Sequence, residues 1–120
     1  MVDILCLGEP LLEFNEQQPR QYVRSIGGDV SNVAIAVARQ GGQAGMLTRM
    51  GRDSFAYEIL QLWEREGIDT SRIIRDKEAP TGIYFISHGL SGHIFDYRRA
   101  GSASSRLKPS DLKKEHFQNV

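Results

Sequence analysis

The sequence predicts an α/β fold built on parallel strands, and three observations carry that expectation. Apolar strand-like runs and helical patterns alternate as strand, helix, strand, helix, with connections of two to four residues, the mark of a layered α/β domain. The first run, residues 2–7, is apolar apart from Asp3, as in a strand covered on both faces by helices. Glycines follow both helical stretches, at Gly41-Gly42 and at Gly67, where a residue free to turn left-handed ends a helix.

Taken in order, residues 2–7 are the first core strand, with Cys6 as a small core side chain and Gly8 as its end. From Glu9 to Ile26 the pattern loosens. Leu11, Leu12 and Phe14 give an extended segment, residues 15–20 a polar turn around Pro19, and residues 22–26 alternate like a half-exposed strand, so the stretch reads as a hairpin standing away from the main sheet. A helix follows over about residues 31–40, apolar on nearly every face, which predicts burial. Residues 44–50 are the next strand. Gly51-Arg52-Asp53-Ser54 supplies a turn and an N-cap, after which Phe55, Ile59, Leu62 and Trp63 recur at helical spacing opposite Glu58, Gln61, Glu64 and Arg65. A short segment lies around Ile73-Ile74. Residues 83–87 are strongly β-prone, and Leu90-Ser91-Gly92 turns them into residues 93–98, a second hairpin. Pro109-Ser110-Asp111 predicts the start of a further helix with Leu112 and Phe117 as its apolar contacts.

The chain has 120 residues, 15 of them basic and 15 acidic, which gives no electrostatic footprint for nucleic acid or an anionic membrane surface. A single cysteine provides neither a disulfide framework nor a zinc site, and fits a reducing, cytoplasmic setting. No apolar run approaches the roughly 18 residues of a membrane span, and no basic region followed by a long apolar stretch opens the chain, so a soluble protein is expected. His88, His93 and His116 lack the spacing and carboxylate neighbours of a metal site, and none is assigned a role.

The stretch Ser25-Ile26-Gly27-Gly28-Asp29-Val30-Ser31-Asn32 stands out. Two glycines let the backbone turn sharply and approach a ligand, and a polar cluster then opens the apolar helix. One reading is a tight turn into a core helix capped by Asp29 or Ser31. The other is a small-molecule site in which the Gly28 amide and the Asn32 carboxamide hold a polyhydroxylated ligand.

Gly27-Gly28-Asp29-Val30-Ser31-Asn32-Val33-Ala34, with Gly42 and Gly51 downstream, resembles the N-terminal signature of the ribokinase-like sugar kinases. Leu7-Gly8-Glu9, Gly51-Arg52-Asp53, Gly67-Ile68-Asp69-Thr70 and Pro80-Thr81-Gly82 follow in the family's order, so the resemblance spans nearly all 120 residues. Within the family, Gly8-Glu9-Pro10-Leu11 and Phe95-Asp96-Tyr97-Arg98-Arg99-Ala100-Gly101-Ser102-Ala103 look like the 2-keto-3-deoxygluconate kinases, with fructokinases the nearest competitors. The resemblance implies a three-layer α/β/α sandwich with a small β-sheet lid, of which residues 1–120 would be the N-terminal portion and about 10–26 and 72–99 the lid segments. It also implies transfer of the ATP γ-phosphoryl group, with Mg2+, to a hydroxyl of a small sugar acid, and a homodimer formed through the lid.

Carried onto this sequence, Gly28 and Asn32 match positions that hold the sugar, Tyr84 and Tyr97 match lid tyrosines, and Arg99 matches the arginine that meets the substrate carboxylate. A guanidinium holds a carboxylate through two parallel charge-assisted bonds, and a neutral hexose offers it nothing equivalent. Tyrosines on a half-buried strand can equally be packing residues. Glu9 is either a sugar contact or a solvated turn carboxylate, and Arg98 is expected to be simply solvated. The family's catalytic aspartate and anion-hole glycines lie in a Gly-Ala-Gly-Asp motif that does not occur here, nor does any Walker-type or Gly-x-Gly-x-x-Gly loop. The resemblance therefore places the catalytic aspartate beyond Val120. The expectation is a chain that supplies the sugar-binding half and does not catalyse transfer alone. The alternative from another class is a non-catalytic sugar-acid-binding or interaction fragment.

Overall fold

The computed structural model describes residues 1–120. Its elements are β1 (Ile4–Leu7), β2 (Leu11–Gln18), β3 (Gln21–Gly27), α1 (Asp29–Arg39), β4 (Ala44–Leu47), β5 (Arg49–Met50), α2 (Ser54–Arg65), β6 (Ile74–Arg75), β7 (Ile83–Gly89) and β8 (Gly92–Arg98), followed by three short 3-10 turns. β1 and β4 pair in parallel, Ile4 opposite Ala44 through Leu7 opposite Leu47, with α1 crossing between them. β5 and β6 form a second short parallel pair.

The two hairpins, β2–β3 and β7–β8, do not stay separate. A parallel pairing of β2 with β7 joins them into one four-stranded sheet in the order β3-β2-β7-β8. Because side chains alternate along a strand, the register Leu12↔Ile83, Glu13↔Tyr84, Phe14↔Phe85 sorts this sheet into two faces. Phe14 lies on one face, stacked on Phe85 at 5.2 Å and edge-on to Phe55 of α2 at 6.1 Å. Leu11, Glu13 and Tyr84 lie on the other, which bounds the cavity described below.

The core gathers Cys6, Leu12, Ala34, Met46, Ile59 and Trp63 between the β1–β4 pair and the helices. Trp63 is fully buried, and its indole N–H donates to the Ser31 hydroxyl at 2.9 Å. The carboxylate of Asp53 caps α2 by accepting from the Ala56 amide at 2.8 Å, and it also accepts from the Thr81 amide and hydroxyl, both at 2.7 Å. Burial alone would raise its pKa. The bonds from Thr81 and the first amides of α2 outweigh that and hold it below the usual carboxylate range.

Several expectations need correction. α1 starts at Asp29 and has no side-chain cap: Gly28 occupies the N-cap with φ 100°, while the Ser31 hydroxyl is taken by Trp63. Nor is α1 buried all round, since Val33 is 47% exposed and Asn32 and Ala36 also face outward. In β1 only Cys6 is buried, and Leu7 is exposed. The expected strand 44–50 breaks at Thr48, whose hydroxyl bonds that of Ser104 at 3.2 Å. From Ser104 onward the chain makes 3-10 turns at Ser104–Arg106, Pro109–Asp111 and Lys114–Phe117 in place of the expected helix. Leu112 and an exposed Phe117 are too sparse an apolar stripe to dock one. No helix is long and apolar enough to cross a membrane.

Candidate functional site

A cavity of about 450 Å3 lies between the inner face of the four-stranded sheet and the N-terminus of α1. Leu11 of β2, Tyr84 of β7, and Phe95 and Tyr97 of β8 form its sheet side; Gly28, Asp29 and Val30 form its helix side; Glu9 and Arg99 approach from the segments before β2 and after β8. The volume suits a small polar molecule.

Each wall has a local cause. At Gly28 the positive φ and the space coincide, because a β-carbon there would lie 2.5 Å from the carbonyl oxygen of Glu9. Only glycine lets these two backbones touch, and no side chain caps the first turn of α1, whose residues Asp29 and Val30 line the cavity. On the opposite side, period-2 alternation sends Phe95 and Tyr97 to the face shared with Tyr84. Tyr84 stacks on Tyr97 at 5.5 Å with the rings 24° apart, Tyr97 on Phe95 at 6.4 Å, and the Arg99 guanidinium lies 5.4 Å from the Tyr97 ring centre. The result is an aromatic wall ending in a cation.

The polar groups are held unequally. The Tyr84 hydroxyl donates to Glu13 Oε1 at 2.5 Å, and Glu13 Oε2 accepts from the Ser25 hydroxyl at 2.8 Å. Burial, and then the bond to anionic Glu13, push the Tyr84 phenol well above its ordinary pKa, so it is neutral throughout the physiological range. Glu9 accepts from the hydroxyl of buried Ser102. Arg99 lies 3.8 Å from Glu9, makes no side-chain hydrogen bond, and is 57% exposed.

Of the residues singled out from the sequence, Glu9, Gly28, Tyr84, Tyr97 and Arg99 line this one cavity. Asn32 does not. It sits exposed on the first turn of α1, its amide bonded to the Gly28 carbonyl at 3.0 Å, outside the lining. Val120 is likewise exposed and lines no part of the cavity, and Asp29, the one aspartate of the lining, opens α1. Arg98 pairs with Asp96 in solvent on the opposite face of β8. Phe95 and Glu13 were missed. Phe95 was readable as the residue two before Tyr97 on the same strand, whereas Glu13 required the β2–β7 register, which no local pattern carries. No group of three or more His, Cys, Asp or Glu side chains could hold a metal ion. The side chains of this chain therefore form no metal cage by themselves.

A 2-dehydro-3-deoxygluconokinase of Thermoproteus tenax is 35% identical over 123 residues, covering 93% of this chain and 37% of that protein. Another from Bacillus subtilis (strain 168) is 33% identical over 125 residues, covering 98% of this chain and 39% of its own length. Among solved structures, a fructokinase with bound ATP from Xylella fastidiosa superposes with a TM-score of 0.86 at 29% identity, covering 95% of this chain and 35% of that one. The chain spans little more than a third of these relatives' length. The shared fold is that of the ribokinase-like sugar kinases. Since the sequence profile of the pfkB family carbohydrate kinases also matches residues 1–120, the chain belongs to that family.

Proposed function

We propose that the whole protein transfers the γ-phosphoryl group of ATP to a hydroxyl of a sugar acid, 2-keto-3-deoxygluconate to its 6-phosphate, and that this chain supplies the sugar-binding half, with the catalytic aspartate beyond Val120. The observation that carries the reading is Arg99: a guanidinium without a hydrogen bond at the edge of a cavity whose other walls are aromatic rings, the N-terminus of α1 and the carboxylate residues Glu9 and Asp29. That is the complement of a molecule with a carboxylate at one end and hydroxyls along the rest. The Thermoproteus and Bacillus relatives bear the name of this activity. ATP as donor is supported by the ATP-bound neighbour, and Mg2+ would accompany it at residues other than these. Gly28 would meet the sugar through its backbone, Tyr84 and Tyr97 would stack and hydrogen-bond along it, and Asn32 would extend the site on the open side of α1. Their joint work is to orient the sugar and exclude water.

The test is Arg99→Ala in the complete protein. Hydrogen bonds to charged groups are worth about 1.5–3 kcal/mol, so kcat/KM for 2-keto-3-deoxygluconate falls on the order of ten- to a hundredfold, while residual turnover of fructose scarcely changes. Equal losses on both substrates, or a wild type that prefers fructose, would replace the sugar acid with fructose. One observation favours that second reading: Glu9, 3.8 Å away, already offers Arg99 a carboxylate. The proposal includes a cytoplasmic homodimer joined through the four-stranded sheet, whose outer strand β8 exposes Ile94, Phe95 and Tyr97. Light scattering on the complete protein tests the dimer.

A further inference from the structure

Of the two tyrosines lining the cavity, Tyr84 is the one whose hydroxyl proton is already committed inside the protein. Its acceptor, Glu13, is held on both sides, one oxygen bonded by Tyr84 and the other by Ser25. The phenol oxygen is also tightly placed: a β-carbon on Gly27 would lie 2.4 Å from it, so the bare backbone of Gly27 seats the Tyr84 oxygen beside Gly28. An ionised carboxylate can only accept, and a phenol has one proton to give. We propose that Glu13 fixes the hydrogen-bond polarity of the cavity, leaving the Tyr84 oxygen able to serve a ligand only as an acceptor. The ligand must then present a hydroxyl at this wall; a carbonyl or carboxylate oxygen there meets lone pairs and is rejected. Glu13 thus acts through Tyr84 as a specificity-determining positioning residue. Together with the sugar-acid reading, on which this last step rests, the polarity fixes the ligand's direction, carboxylate toward Arg99 and a hydroxyl toward Tyr84.

The neutral state required of Tyr84 agrees with its burial and with the adjacent Glu13 anion, both of which oppose loss of the phenol proton. The rule can be read with ligands that separate donor from acceptor. Binding of single-position deoxy and deoxyfluoro analogues of 2-keto-3-deoxygluconate to the full-length protein, measured by calorimetry, tests it, since fluorine keeps a weak acceptor and no donor. At one position the deoxy and deoxyfluoro analogues should lose affinity alike, roughly tenfold, and that loss should vanish in Tyr84→Phe. Glu13→Gln, whose amide can donate to the phenol oxygen, should shrink the discrimination. A deoxyfluoro analogue that keeps its affinity where the deoxy one loses it would show that the protein donates there, and would overturn the inference.

A second measurement needs no ligand. With tyrosine labelled at 13Cζ in the full-length protein, Tyr84→Phe identifies the Tyr84 signal, and Glu13→Ala should shift it strongly while Ser25→Ala shifts it less. An unmoved signal in Glu13→Ala sinks the inference even if a sugar acid is the substrate. If the signal moves but no sugar acid binds, the substrate reading fails instead, and the same analogue series made on fructose must then show the equal deoxy and deoxyfluoro loss.

Discussion

Position 28 shows how a single residue separates legible from illegible parts of the site. Two adjacent glycines before an apolar helix announce a sharp turn in any sequence, but why Gly28 cannot be replaced depends on Glu9, brought to it by the fold. The comparison with Gly41, which has φ 86° and no atom near its absent side chain, isolates the two contributions. Gly41→Ala should cost about 1–2 kcal/mol in urea denaturation of the complete protein, the ordinary strain of a left-handed alanine. Gly28→Ala should cost more, because the new methyl meets backbone, and it alone should weaken sugar binding. Equal costs would mean that the Glu9 contact relaxes freely. Asn32 was picked by motif and lies outside the cavity lining, so its side chain tests the reach of the site. Asn32→Ala should raise KM for the sugar and leave nucleotide affinity nearly unchanged.

Among the elements, α2 was the most legible and α1 the least. Both the cap and the buried stripe of α2 are local, written by Asp53 and by Ile59 and Trp63 at helical spacing. The cap of α1 was misread because Ser31 has two possible uses, and the fully buried Trp63, distant in sequence, claims it. Similarly, Leu7 and Val33 look like core residues by hydropathy but face outward in this chain. The two hairpins were readable one at a time from alternation and turns. Their joining through β2 and β7 was not, since a parallel pairing leaves no turn between its strands. Ser31→Ala leaves the Trp63 N–H buried without a partner and should cost about 1–3 kcal/mol in denaturant unfolding, with Trp63 fluorescence as the reporter. Trp63→Phe together with Ser31→Ala removes both partners, and the pair should then lose less than the sum of the single changes.

For the molecule as a whole, Asp76 is the point at which acid should act. It is 3% exposed and accepts from the Glu78 and Ala79 amides, both at 2.9 Å, and from Arg49 at 2.8 Å, with Arg106 3.5 Å away. The Ala79 and Glu78 amides, and then Arg49, hold its carboxyl far below the usual range. A depressed native pKa gives stability that is complete above the unfolded value of about 4 and is lost as pH falls below it. The denaturation midpoint should therefore drop steeply below about pH 4, and Asp76→Asn should flatten part of that drop; parallel slopes would remove Asp76 from the account. The 120-residue polypeptide alone should lack kinase activity and self-associate, since Leu7 and Val33 are exposed and its short parallel sheet has open edges. Monomeric behaviour in light scattering with a cooperative melt would contradict this. The parallel pairing of β2 with β7 also has a consequence in time. Pairing Leu12 with Ile83 closes a long loop over the intervening α/β segment, whereas α2 closes on contacts three or four residues apart. In refolding followed by pulsed hydrogen exchange, the amides of Ile59 and Trp63 should be protected before those of Tyr84 and Phe85, so that the aromatic wall of the cavity takes shape after the helix behind it.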